Sequence, residues 1–304
     1  MIIQNLSRDK YNVTSAILQK NGLWSMPPRK KRLSPGGALQ RIQQRRYDAA
    51  FLALHGTFGE DGHMQAMLET IKLLYTGSKL LSSAMAFDKT IANAQFQLHG
   101  LHIPASREVR SLQGARKLQS WARQLQWRLV VKPVCGGSSV GTILVRQRKE
   151  FFPAVTKAMR FDSRVLVQEL IVGKEVTCAV LEKHGQPHAL PVTEIIPRQA
   201  QFFDYRAKYT PHASEEITPA RLSKRQTRIV QQAALTAHKA LQCSGLSRSD
   251  FLLCGTKCYI LEINTLSGMT ATSLVPQAAE AGGISFSQLL DLILEAAWSK
   301  KTTL

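Results

Sequence analysis

The sequence predicts an α/β fold, of the α+β kind, on three observations. Residues 47–54 form an apolar run that enters a turn-rich segment, 55–62, ahead of a helical stretch. Such strand–loop–helix units place functional loops beyond strand ends. Residues 259–264 (YILEIN) and 248–252 (RSDFL) alternate with a period of two, as paired strands do. Residues 226–243 and 287–298 carry helical periodicity over helical lengths.

In chain order, the run at 47–54 is a buried strand and 64–74 a helix. A second helix ends near Lys89, and a third runs from Ala94 to about Gly100, with Pro104 beyond it. Residues 128–132 are a strand ended by Pro133. The loop 135–141 (CGGSSVG) follows, and strand character resumes over 142–145. Strands at 165–169 and 175–181 bracket a turn at Gly173. Alternation would set Ile260, Glu262 and Asn264 on one strand face, with Leu261 and Ile263 on the other.

The chain has 304 residues, enough for two or three domains with cores of their own. Its hydrophobic fraction of 44% and charged fraction of 20% fit a globular protein. No apolar run approaches the roughly 20 residues of a membrane helix, and the start lacks the layout of a signal peptide. A membrane is therefore not an expected partner. Cys135, Cys178, Cys243, Cys254 and Cys258 form no CxxC pair, so a zinc site is not expected, and reduced thiols in a cytoplasmic protein are the simplest account. The 40 Lys and Arg against 21 Asp and Glu give a formal charge of +19, which favours anionic partners. A basic run at 29–32 and another at 41–46 contribute, but no nucleic-acid-binding motif accompanies them, and nucleic acid is not an expected partner.

The chemistry concentrates in two places. The glycine-rich loop lies between two strands, which excludes both a P-loop and a dinucleotide fingerprint. Its glycines allow close backbone approach to a ligand, Ser138 and Ser139 add hydroxyls, and Lys132 precedes it. An ordinary hairpin loop has the same composition. In the second place, paired strands would converge Asp250, Glu262 and Asn264, hard oxygen ligands suited to Mg²⁺ completed by phosphate. The same residues also fit two strands with solvated charges.

Taken together and in order, these features resemble the ATP-grasp ligases, and within them the D-alanine–D-alanine ligase family. The resemblance is carried by LHGTFGEDG at 54–62, YTGS at 75–78, FDK at 87–89, VKPVCGGSSVG at 131–141 and VGKEVTCAVL at 172–181. FDYRAKY at 203–209, SRSD at 247–250 and EINTLSGMTATSLVP at 262–276 complete it. The resemblance implies an ATP-grasp fold with a substrate-side α/β domain over 1–90, a central subdomain over 91–171, and a C-terminal subdomain over 172–304 holding the metal and substrate site.

It also implies roles. Lys89, Lys132 and Lys208 would hold ATP phosphates under a loop that includes Ser138 and Ser139. Gln168, Glu169 and Ile171 would line the adenine pocket, and Glu175 would accept from the ribose. Asp250, Glu262 and Asn264 would hold Mg²⁺ or Mn²⁺, two ions in all. His55, Ser138, Tyr209, Arg248, Gly268, Ser273 and Leu274 would surround two D-alanines, with Arg248 and the Gly268 N–H facing a developing oxyanion. The implied activity is ATP-dependent ligation through an acyl phosphate, for peptidoglycan precursors, by a homodimer. Lys208 and Tyr209 favour alanine as the second substrate, with D-serine still open.

The chain also departs from the family's pattern. The family opens with a strand, a glycine-rich Ser/Glu loop and a helix, whereas residues 9–14 here already resemble its second strand. A truncated N-terminal domain, without the glutamate for the first substrate's ammonium, is the expectation. Gly136 stands where an acid is frequent, Ser267 where proline is, and Thr272 where histidine is. Two alternatives follow: a nucleotide-binding pseudoenzyme, or a ligase of the same fold for another small amino or hydroxy acid.

Overall fold

The computed structural model describes residues 1–27, 32–137, 139–197, 214–270 and 272–299. The basic run at 29–32 lies largely outside them.

The N-terminal region begins with α1 (Ile2–Asn5) and a small antiparallel sheet of β1 (Ile17–Leu18), β2 (Trp24–Ser25) and β3 (Arg32–Leu33). Residues 9–14, expected as a strand, hold no regular element. Then come α2 (Pro35–Arg45), β4 (Ala49–Ala50), α3 (His63–Thr70), β5 (Leu74–Tyr75) and α4 (Leu80–Phe87). β4 and β5 pair in parallel, and Trp24, Ile42, Met64, Leu68 and Tyr75 share one core. The helix expected to reach Leu74 stops at Thr70. Lys72 turns left-handed at φ +55°. The Leu73 N–H bonds the Leu68 carbonyl (3.0 Å) and the Lys72 N–H that of Glu69 (3.0 Å), which is a Schellman closure. It frees Leu74 to join the sheet.

The central region holds α5 (Lys89–Leu98), β6 (Ser106–Val109), α6 (Leu112–Lys117), α7 (Gln119–Gln124), β7 (Leu129–Pro133), β8 (Ile143–Val145), α8 (Arg148–Ala158) and β9 (Val165–Glu169). Helix α5 starts five residues before the expected Ala94. The Asp88 carboxylate caps it, accepting from the Thr90 and Ile91 N–H groups. The sheet order is β6-β9-β7-β8, all antiparallel. Alternation gives it two faces. Leu129, Val131, Val165 and Val167 enter a core with Phe151 and Val155 of α8. Val130, Lys132 and Gln168 point the other way, into the cleft described below.

The C-terminal region contains β10 (Lys174–Lys183), β11 (Gln186–Ala189), β12 (Thr193–Pro197), β13 (Ser214–Ile217), α9 (Lys224–Ala240), β14 (Leu246–Cys254), β15 (Lys257–Asn264), α10 (Leu274–Ala281) and α11 (Phe286–Ser299). Its sheet runs β13-β12-β10-β14-β15, with β11 also on β10. A capping box between Ser223 and Gln226 opens α9. The helix lays Val230, Ala233, Ala234 and Ala237 on Val176, Phe251 and Ile260. Its alanines leave little between helix and sheet, which lets the helix lie close.

The β14–β15 hairpin is not a regular ladder. Asp250 pairs with Glu262 but Phe251 pairs with Ile260, so Leu261 is an extra, bulged residue. The bulge corrects the expected alternation: Ile260 is fully buried beside Ile263 in the core, while Leu261 and Glu262 both line the cleft.

Candidate active site

A cleft of about 700 Å³ lies between the central and C-terminal sheets. The central sheet contributes Lys132 and Gln168, each less than 10% exposed, as pleat-mates of Val130. Glu169 at the end of β9, Ile171 in the connection and Glu175 at the start of β10 also line the cleft. Helix α5 contributes Lys89, and the glycine-rich hairpin contributes Ser139. Gly141 closes that hairpin at φ +74°, where a Cβ would sit 2.7 Å from the Phe161 ring and 2.8 Å from Pro133. The β14–β15 hairpin forms the floor with Asp250 and Glu262.

Asp250 is held from two sides. The Thr177 hydroxyl donates to its Oδ1 at 2.7 Å, and Arg248 donates through Nε and a terminal nitrogen at 3.1 Å each. Burial works against the Arg248 charge, but the pair with Asp250, with Glu262 and Glu60 nearby, outweighs it and raises the Arg248 pKa. Lys89 Nζ donates to the Gly136 carbonyl at 2.6 Å and stands 4.0 Å from Glu262 Oε2. A smaller cavity joins Lys89, Gly136, Glu262 and Asn264 to Glu60. Asn264 pairs with Arg248 across the ladder, and its buried amide nitrogen has no hydrogen-bond partner among the described residues.

His55 follows β4 and reaches the far end of the site. A Cβ placed on Gly268 would be 3.9 Å from the His55 ring and 2.6 Å from Ser273 Oγ, so these three residues adjoin. Burial, and then the Arg248 charge, lower the His55 pKa, which favours a neutral ring. Ser273 precedes α10 but makes no side-chain cap; its Oγ accepts from the Thr270 N–H at 3.0 Å. Leu274 is the first residue of that helix. Ser138, Lys208 and Tyr209 lie outside the described residues.

Two acids near the site were not among the sequence-derived candidates. Glu60 accepts from the Gly56 N–H at 2.6 Å, and burial pushes its carboxyl up to about 7. Glu216 on β13 accepts from Gln277 at 3.1 Å, and burial raises its pKa as well. Glu60 lies inside the LHGTFGEDG segment, so a signal for it existed. Glu216 has no local signal.

Can these residues hold a metal? Among the described residues, no three His, Cys, Asp or Glu side chains converge as a metal cluster. Asp250, Glu262 and Asn264 form an all-oxygen donor set with two carboxylates, which fits a hard divalent cation that completes its shell with water and phosphate.

Residues 99–295 match the sequence profile described as the D-ala D-ala ligase C-terminus, and residues 36–78 that of the D-ala D-ala ligase N-terminus. The chain belongs to the D-alanine–D-alanine ligase family. A D-alanine–D-alanine ligase of Syntrophobacter fumaroxidans is 44% identical over 271 residues, 88% of this chain and 86% of the relative. Among solved structures, the D-alanine–D-alanine ligase from Coxiella burnetii superposes with a TM-score of 0.82 at 30% identity, over 99% of this chain and 88% of that one. The VanG D-Ala:D-Ser ligase from Enterococcus faecalis gives a TM-score of 0.83 at 30% identity, over 97% and 92%. The fold is therefore the ATP-grasp α/β fold of this ligase family, whose members use ATP with a divalent cation. Among the described residues, no helix is long and apolar enough to cross a membrane.

Proposed function

We propose that this protein is an ATP-dependent D-alanine–D-alanine ligase that supplies peptidoglycan precursors. The observation that carries the reading is the hairpin register. It sets Asp250 opposite Glu262 on the floor of a cleft whose other walls carry Lys89 and Lys132. Acidic oxygens on one side and lysines on the other suit a metal-bound triphosphate.

A carboxylate is a poor acyl donor because it is anionic and has no good leaving group. Transfer of the γ-phosphoryl of ATP to the carboxylate of one D-alanine gives an acyl phosphate and ADP. The amine of a second D-alanine then attacks the acyl carbon, and the tetrahedral adduct expels phosphate to leave the dipeptide. Lys89, Lys132 and Lys208 hold the phosphates, together with Ser138 and Ser139 of the glycine-rich loop. Gln168, Glu169 and Ile171 surround the adenine, and Glu175 accepts from the ribose. Asp250, Glu262 and Asn264 would hold Mg²⁺ or Mn²⁺, two ions in all, and the bound cations would supply charge neutralisation at the phosphates. His55, Tyr209, Ser273 and Leu274 seat the amino acids, where the exposed N–H groups at the start of α10 suit a carboxylate. Arg248 and the Gly268 N–H donate to the oxyanion. The enzyme acts as a homodimer.

The test is phosphate release with Mg-ATP, with and without D-alanine, and mass spectrometry of the product. Release that requires D-alanine, with the dipeptide present, supports the reading. ATP-induced stabilisation without such release would identify a nucleotide-binding protein instead. A panel of D-alanine, D-serine and D-lactate as acceptor addresses the likeness to a D-Ala:D-Ser ligase.

A further inference from the structure

Outside the cleft, Asp88, Glu108 and Arg164 form a charge cluster at the edge of the central region. Arg164, one residue before β9, donates from Nε and a terminal nitrogen to the two oxygens of Glu108, at 3.0 and 2.7 Å. Its other terminal nitrogen donates to Asp88 Oδ2. Glu108 also accepts from the Thr90 hydroxyl at 2.8 Å and from Arg110 at 2.9 Å. The hydrogen bonds from Arg164 first, with those from Thr90 and Arg110, hold the Glu108 carboxyl down to about 2 against burial. Arg164 itself is not part of the cleft wall.

What the cluster touches is the base of the phosphate-side machinery. Asp88 uses its other oxygen to cap α5, whose first residue is Lys89. The Lys89 N–H bonds the Val134 carbonyl at 3.2 Å, and the Val134 N–H bonds the Arg164 carbonyl at 2.9 Å. Asp88 also bridges to Cys135, at the foot of the glycine-rich hairpin. Without the guanidinium, two carboxylates are left facing each other across the start of α5, and they repel.

We infer that Arg164 is a positioning residue for phosphate recognition: by tying Asp88 to Glu108 it fixes the start of α5 and holds Lys89 over the glycine-rich hairpin. The inference rests on the proposed phosphate role of Lys89. A merely structural ion pair would lower the amount of folded protein but leave the ligand preference of the folded fraction unchanged.

The experiment uses the purified full chain and measures affinity for ADP and for adenosine in wild type, Arg164→Gln, Arg164→Lys and Lys89→Met. Losing a charge-assisted anchor predicts that Arg164→Gln weakens ADP binding about tenfold or more, with adenosine within about twofold. Lys89→Met gives the same pattern, and Arg164→Lys recovers part of the loss. An ADP-to-adenosine ratio unchanged in Arg164→Gln but reduced in Lys89→Met overturns the inference alone. A ratio unchanged in Lys89→Met overturns the phosphate role of Lys89, and the inference with it. If Arg164→Gln does not fold, Asp88→Asn keeps the cap oxygen and removes only the ion pair, and the same ratio decides.

Discussion

Replacing Glu60 by Gln should flatten the pH dependence of stability in a direction opposite to the usual acid denaturation. Burial raises this carboxyl from 4.5 to about 7, with Glu262 and Asp61 adding to the effect and the Gly56 N–H and Arg248 opposing it. Between those two values the folded chain holds a proton that the unfolded chain has released. Stability therefore falls as pH rises from about 4.5, and the loss is complete once pH passes about 7. A tenfold change in proton affinity is worth about 1.4 kcal/mol, so the full displacement is worth about 3 kcal/mol, an upper figure for a group surrounded by other charges. Gln keeps an oxygen for the Gly56 N–H and carries no proton to lose. Urea unfolding of wild type and Glu60→Gln from about pH 4 to about pH 8 measures the difference. The curves should meet at the acid end and diverge by up to about 3 kcal/mol at the alkaline end, with the variant more stable. Parallel curves would refute the buried carboxyl as the cause.

Glu262→Gln, which is nearly isosteric, should remove metal-dependent turnover by at least the roughly 100-fold seen for outer-shell partners, while circular dichroism and melting stay near wild type. Normal turnover would sink the metal assignment. Gly173→Ala would place a Cβ 2.7 Å from Cys254 Sγ and 2.8 Å from the Leu253 carbonyl, so it should push the β9–β10 connection away and raise KM for ATP more than KM for D-alanine. An equal fold-change in the two KM values would separate that connection from the adenine site. Phe251→Ala empties a fully buried position between β14 and α9 and should destabilise by about 3–5 kcal/mol in chemical denaturation.

Alternation made the face of Arg248, Asp250 and Leu252 legible in advance, whereas Lys132 is read from its place before the glycine-rich loop and Gln168 from the family resemblance alone. Val130, Lys132 and Gln168 share a pleat, as do Arg248, Asp250 and Leu252, and both sets fall where a period of two puts them. The misplaced boundaries have local causes. The α3 terminus depends on a left-handed Lys72, where glycine would have announced the turn. The start of α5 depends on Asp88, which resembles any surface acid until its two backbone partners are in view. The bulge at Leu261 breaks the period itself, so a regular pattern assigned Ile260 to the wrong face. The meeting of α5, the glycine-rich hairpin and β15 is a tertiary fact, and only the ordered likeness to one family anticipated it. Glu216 had no such help.

The manner in which Asp250 is held has a further consequence. Its negative charge is already balanced by Arg248 and its Oδ1 is already occupied by the Thr177 hydroxyl, all three within one sheet. The sheet therefore assembles without needing a cation to cancel electrostatic repulsion on its floor. A chelator should stop the chemistry and leave the melting temperature almost unmoved, and adding metal back should restore turnover without a refolding lag. An ion bound here would be a visitor to a scaffold already held together by Arg248 and Thr177, unlike a zinc finger, where the ion is the scaffold.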